Sequence, residues 1–155
     1  MGDSWEEGLK DAGLLQSCYA VALGSEDCQL FAAIADDDFP DPWSAMYADD
    51  YETDVAQDDG STAKECINEW TTITQAFDPN STAAVYLAGQ KYQFCHRDEQ
   101  DEVTVVLIKK VKGGAAIAKT SNGYYLMGLY NEEKEQVVGN TVDAIVAYAQ
   151  YMAST

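Results

Sequence analysis

The sequence predicts an α+β domain in which a central antiparallel sheet is flanked by helices that include both chain ends. Three observations predict it. A capped amphipathic segment lies near each end of the 155 residues, the second half carries a succession of strand-like runs, and Asn122-Gly123 stands between the last two runs. Asn-Gly between apolar runs is a strong hairpin signal, because both residues tolerate the positive φ of a tight turn.

The elements follow in order. Ser4-Trp5-Glu6-Glu7 has the form of a capping box, with Ser4 as N-cap and Glu7 placed to reach back to it. Trp5, Leu9 and Ala12 share one helical face, and the helix is expected to end near Gly13. Runs 17–23 and 29–35 are small or β-branched and are separated by Gly24-Ser25-Glu26-Asp27, which predicts a hairpin. Asp36 to Gly60 is acidic; within it 43–47 is expected to form a short helix, and the stretch after Asp49 contains Tyr51. Trp70, Ile73 and Phe77 recur at helical spacing and predict a helix over 68–77. Strands are expected at 84–88, 91–95, 102–110, 114–120 and 124–130, and Asn140 is expected to cap a helix running to Ala153. With no internal repeat and no linker, 1–155 is expected to be one domain with an acidic insert or arm at about 36–66.

Composition bounds the function. Nine Lys plus Arg stand against 27 Asp plus Glu, a formal net charge of −18. Nucleic-acid binding requires clustered cations to displace counterions, so this balance argues against it, and against strong binding to phosphoinositide lipids. No apolar run approaches the roughly 18 residues of a membrane span. The N-terminus lacks the apolar stretch of a secretory signal, so a cytoplasmic protein is expected, and the large net charge favours a monomer. Cys18, Cys28, Cys66 and Cys95 contain no Cys-x-x-Cys pair and His96 is the single histidine, so no metal is expected. Because Cys18, Cys28 and Cys95 sit in apolar runs, reduced and buried thiols are expected. Placing Gly60 at the invariant glycine of an EF-hand puts Val55 and Cys66 at the end ligand positions, and both fail. No nucleophile setting or phosphate loop is present, so no catalysis and no cofactor are expected.

The C-terminal helix is more informative. At about 100° per residue, Val142, Ile145, Val146 and Ala149 form a core stripe, Tyr148 and Tyr151 project from the opposite side, and Met152 lies at the border. Outward tyrosines suit an aromatic platform for polyproline II peptides, whose proline faces pack on rings. Helix geometry alone equally allows rings packed on one another.

Ala88-Gly89-Gln90-Lys91-Tyr92, preceded by Phe77-Asp78-Pro79, resembles the glycine-lysine-tyrosine hairpin of profilins. Lys112-Gly113-Gly114, Asn122-Gly123 and Leu129 to Gln136 ahead of Gly139-Asn140 resemble the profilin C-terminal half. The acidic insert, Trp43-Ser44 with Tyr47, Ile67-Asn68-Glu69 and Glu132-Glu133-Lys134-Glu135-Gln136 are most like the apicomplexan branch. The resemblance implies that the N- and C-terminal helices pack together on one face of the sheet, with an aromatic polyproline groove between them. By motif position that groove would use Trp5, Trp43, Tyr151 and Met152, with Tyr148 added from helix geometry. Gly8 stands where family members often carry tyrosine, so weak binding to proline-rich peptides of formin-like nucleators is implied. On the opposite side, Lys91, Arg97, Lys110 and Gly139 match positions used to bind monomeric actin, and Tyr51 would add a contact from the arm. Asp143 departs from the lysine that many relatives carry there. The implied function is a stoichiometric, cytoskeleton-associated regulator of actin polymerisation. A PAS-like or roadblock-like ligand-sensing or scaffold domain, which shares a sheet with flanking helices, is the main alternative, and a small acidic calcium-dependent regulator is a second.

Overall fold

A computed structural model describes residues 13–14, 18–25, 29–35, 51–56, 59–78, 84–87, 89–100, 102–134 and 136–153. Nine strands are present among these: β1 (Ala20–Ser25), β2 (Gln29–Ala35), β3 (Tyr51–Ala56), β4 (Thr62–Ile67), β5 (Val85–Leu87), β6 (Gln90–Gln100), β7 (Val103–Lys110), β8 (Gly113–Thr120) and β9 (Tyr124–Asn131). Helix α1 spans Glu69–Gln75, and α2 spans Val138–Ala153 after a 3-10 turn at Glu132–Lys134.

Seven strands form one sheet in the order β2-β1-β9-β8-β7-β6-β5, while β3 and β4 pair as a separate hairpin. All pairings are antiparallel. β1 inserts between β2 and β9, so the N-terminal hairpin extends the C-terminal meander. Among the described residues β2 is paired on one side only.

Many antiparallel sheets wet one face, but here both faces carry packed apolar clusters, and the central strands β1, β8 and β9 are accordingly apolar almost throughout. On one face, Ile73 and Ala76, with Trp70 and Phe77 beside them, pack over Val85, Leu87, Tyr92, Ile117 and Met127. Trp70 and Phe77 both meet the Tyr125 ring edge-on, at 5.0 and 5.5 Å between centroids. On the other face, Ile145, Ala149 and Met152 of α2 join Leu14, Cys18, Val21, Leu23 and Leu126. Leu14 therefore brings the end of the N-terminal segment onto the α2 face, as the fold class requires.

The core stripe of α2 is rotated from the expected one. Thr141, Ile145, Ala149 and Met152 are buried, whereas Val142 and Val146 are only partly so. A threonine enters the stripe because its hydroxyl is satisfied locally, donating to the Val137 carbonyl at 3.2 Å. The helix begins at Val138, so Asn140 lies in its first turn and does not cap it. Asn68, by contrast, caps α1, its Oδ1 accepting from Thr71 N at 2.9 Å.

Two further expectations are corrected. The acidic segment after Asp49, expected to be irregular, forms the β3–β4 hairpin with Tyr51 opposite Ile67. β6 runs through the polar stretch to Gln100 because a bulge between Phe94 and His96 lets pairing with β7 continue. The β8–β9 hairpin expected at Asn122-Gly123 forms; its turn spans residues 121–123, and only Gly123 has positive φ (92°). Thr120 Oγ1 accepts the Tyr124 N–H at 2.9 Å and so closes the turn.

The thiols divide likewise. Cys18 is buried, as expected, and has no disulfide partner; Cys66 and Cys95 are also free but exposed. Cys95 is the unpaired residue at the bulge between Phe94 and His96, and strand alternation already puts it on the face opposite buried Tyr92. Cys28 lies outside the described residues, as do the expected N-terminal helix through Ala12 and the expected short helix at 43–47.

Candidate binding surfaces

At the end of the sheet where β6 begins and β7 finishes, Gln90, Lys91, Gln93, Lys109, Lys110 and Val111 line a shallow depression of about 720 Å³. The pairing Gln93↔Lys109 carries β6 and β7 into it side by side. Lys110 lies over the Tyr92 ring, 5.3 Å from Nζ to centroid, and donates to Gln90 Oε1. Partial burial lowers the Lys110 pKa. Val111, on the connection to β8, is 86% exposed. A chain of net charge −18 thus gathers three of its nine basic residues around one exposed valine.

The neighbouring turn is set by close backbone approach. A Cβ at Gly114 would stand 2.4 Å from the Ile108 carbonyl oxygen, and one at Gly113 would stand 2.8 Å from that of Tyr130. Gly113 pairs with Asn131, whose N–H donates to Gln136 Oε1 at 2.9 Å. The start of α2, with exposed Gly139, therefore follows at the same end of the sheet as Lys91 and Lys110.

Arg97 is half-buried and engaged internally. Its Nε donates to the Ala76 carbonyl at 2.9 Å, and its guanidinium lies 4.8 Å from the Phe94 ring centroid, closing the C-terminal end of α1. Tyr51 is also held: its hydroxyl donates to Glu69 Oε2 at 2.8 Å. Burial, followed by this bond and the charge of Glu69, raises the Tyr51 pKa. Glu69 itself is 0% exposed and also accepts from Gly89 N at 2.7 Å. Sequence reasoning did not place Glu69 in a site. The available signal was an acidic residue in the first helical turn beside the apolar Ile67 and Trp70.

On the α2 face, the Tyr148 and Tyr151 rings lie 5.7 Å apart at an interplanar angle of 52°. Tyr151 is 61% exposed and Tyr148 half-buried. Burial and then the neighbouring Tyr151 raise the Tyr148 pKa. With Leu14, Ala144 and Ala147 the two tyrosines line a cleft of about 260 Å³. Met152, expected at the border, is 1% exposed and belongs to the core beneath. Its carbonyl accepts from Asn122 Nδ2 at 3.0 Å, tying the end of α2 to the β8–β9 turn. Trp5 and Trp43 lie outside the described residues.

Among the described residues no group of three or more His, Cys, Asp or Glu could hold a metal ion, and no helix is long and apolar enough to cross a membrane. The basic depression at one end of the sheet and the tyrosine cleft on its terminal helix are the two candidate binding surfaces of this fold. The family profile described as Profilin matches residues 17–155. Proteins named Profilin from two isolates of Plasmodium falciparum are each 34% identical over 164 residues, covering 98% of this chain and 96% of theirs. Another from Plasmodium berghei is 32% identical over 159 residues, covering 95% of this chain and 91% of its own. The chain belongs to the profilin family and is of the apicomplexan type. It is a non-enzymatic actin-binding regulator. The ligand-sensing and scaffold alternative is not favoured by these matches.

Proposed function

We propose that this chain acts as one domain with an acidic arm at 36–66, sequestering a monomer of actin at its basic end and proline-rich peptide at its terminal-helix face. The observation that carries the reading is the Lys91, Lys109 and Lys110 cluster around exposed Val111 in a strongly acidic chain. Clustered cations beside an apolar contact suit an acidic protein partner, and the charge governs encounter rate more than final affinity. Lys91, Lys110 and Gly139 supply the central actin contacts, with Arg97 and Tyr51 at the margin.

On the second surface, the exposed Tyr151 ring and the half-buried Tyr148 ring provide the contacts over a base that includes Met152, and Trp5 and Trp43, outside the described residues, are assigned to the same peptide site. Ring faces pack on proline, and tyrosine hydroxyls are placed to donate to peptide carbonyls. The complex would be delivered to proline-rich regions of formin-like nucleators in the cytoplasm, with weak or no phosphoinositide binding and with the protein itself a monomer. Both activities are binding equilibria. Pull-down with monomeric actin, followed by polymerisation of pyrene-labelled actin, tests the reading: slower filament growth with increasing protein is expected, and unaltered growth at excess protein contradicts it.

A further inference from the structure

The carboxylate of Glu69 is fully buried, and one of its oxygens accepts hydrogen bonds from two segments far apart in sequence. Tyr51 is the first residue of β3 and pairs with Ile67, so its bond to Glu69 clamps the root of the arm hairpin. Gly89 lies in the β5–β6 turn with φ at 79°, a left-handed conformation that glycine adopts without strain. The next residue, Gln90, accepts from Lys110, and Lys91 follows it. A continuous series of contacts therefore runs from the arm root through Glu69 and the Gly89 turn to the basic depression.

We propose that Glu69 is a positioning residue for actin binding, touching no partner itself but locking the arm root and the β5–β6 turn into one frame. The inference rests on the actin-binding reading above. A buried carboxylate is tolerated only when donors satisfy it, so Tyr51 and Gly89 are each held more firmly than a neutral acceptor would hold them. The spacing between the arm and the Lys91–Lys110 depression follows from that clamp.

The test measures the affinity of the full chain for labelled monomeric actin in Tyr51→Phe, Glu69→Gln, Gln90→Ala and the Tyr51→Phe/Gln90→Ala double variant. Hydrogen exchange at the Gly89 amide is followed in parallel without actin. Tyr51→Phe and Glu69→Gln are each expected to weaken actin binding by roughly 3- to 10-fold, the scale of one hydrogen bond. Gly89 exchange is expected to accelerate in both, and the double variant to lose less than the product of its single losses. Glu69→Gln alters no exposed atom, so an unchanged affinity there beside a weakened Tyr51→Phe would make Tyr51 an ordinary contact and overturn the proposal. Strictly multiplicative losses with unaltered Gly89 exchange would overturn it too. If Glu69→Gln does not fold, Tyr51→Phe, which keeps the Glu69 carboxylate, decides by the same criteria. A wild-type chain that does not bind actin overturns the functional reading and the positioning role together. Gly89 exchange then shows separately whether the clamp exists.

Discussion

Gly128 of β9 lies directly under Ile145 of α2: a Cβ at position 128 would stand 2.6 Å from Ile145 Cδ1 and 2.8 Å from Cys18 Sγ. Cβ atoms do not approach so closely, so the absence of a side chain sets how near the helix sits to the sheet. Overpacking a well-filled core costs about 1–3 kcal/mol. Gly128→Ala is therefore expected to lower stability by that amount, seen as a reduced urea midpoint with an unchanged m-value.

Cys18 lies in the same contact. Burial pushes its thiol from 9.0 up to about 12, an effect partly offset by a hydrogen bond with the Thr141 side chain. The folded chain thus keeps a proton that the unfolded chain loses near pH 9. Stability from this group is complete below pH 9 and falls as pH rises toward 12, by up to about 1.4 kcal/mol per unit. The raised phenols of Tyr51 and Tyr92 act with the same sign at higher pH. Thermal melts from pH 8 to 11 should show this decline. Peptide-level alkylation of the native chain at pH 8 should mark Cys66 and Cys95 and spare Cys18.

Tyr151 is exposed and adds little to the core, so Tyr151→Ala should leave the melting temperature within a degree or two while weakening proline-decamer binding several-fold. Tyr148→Ala should weaken both, because that ring also packs against the α2 core. Fluorescence titration with the peptide, paired with melts, separates the two. Equal peptide affinity in wild type and Tyr151→Ala would remove this cleft as the peptide site.

Charge reversal at Lys110 tests the basic depression. Lys110→Glu places a carboxylate beside Gln90 and removes the cation over Tyr92. Actin association is expected to slow about tenfold or more at low salt, with the difference shrinking as ionic strength rises. Stopped-flow association at two salt concentrations measures it.

Arg97→Ala removes the donor to the Ala76 carbonyl at the end of α1, and a cost of about 1 kcal/mol in stability is expected. If Arg97 also contacts actin, affinity falls beyond what the melt accounts for.

Much of the fold was legible in the sequence because hydrophobic period and turn chemistry are local. Thus β1, β2, β7, β8, β9 and α1 lie within a few residues of their expected bounds. What escaped was non-local. The β3–β4 hairpin is acidic and carries little apolar alternation, and its root is fixed by the Tyr51–Glu69 bond, which no window of sequence contains. The polar half of β6 is a strand because β7 pairs with it. In α2 the outward tyrosines were legible from helix geometry, but Met152 was misplaced because Thr141 occupies a core position that polarity argues against. The lysine-bearing hairpin was read from family likeness; its depression depends on β6 and β7 finishing side by side.

The border of β2, unpaired among the described residues, has a consequence for handling the protein. Its Leu30-Phe31-Ala32-Ala33-Ile34 run is a template on which a second copy could add a strand. Glu26 and Asp27 precede the run and Asp36-Asp37-Asp38 follow it, so such stacking would bring like charges together. At neutral pH that repulsion would oppose such pairing. Near the isoelectric point of about 4.1 the net repulsion is lost and these carboxylates are partly neutralised, so storage near that pH is where precipitation through this border should overtake unfolding as the route of loss.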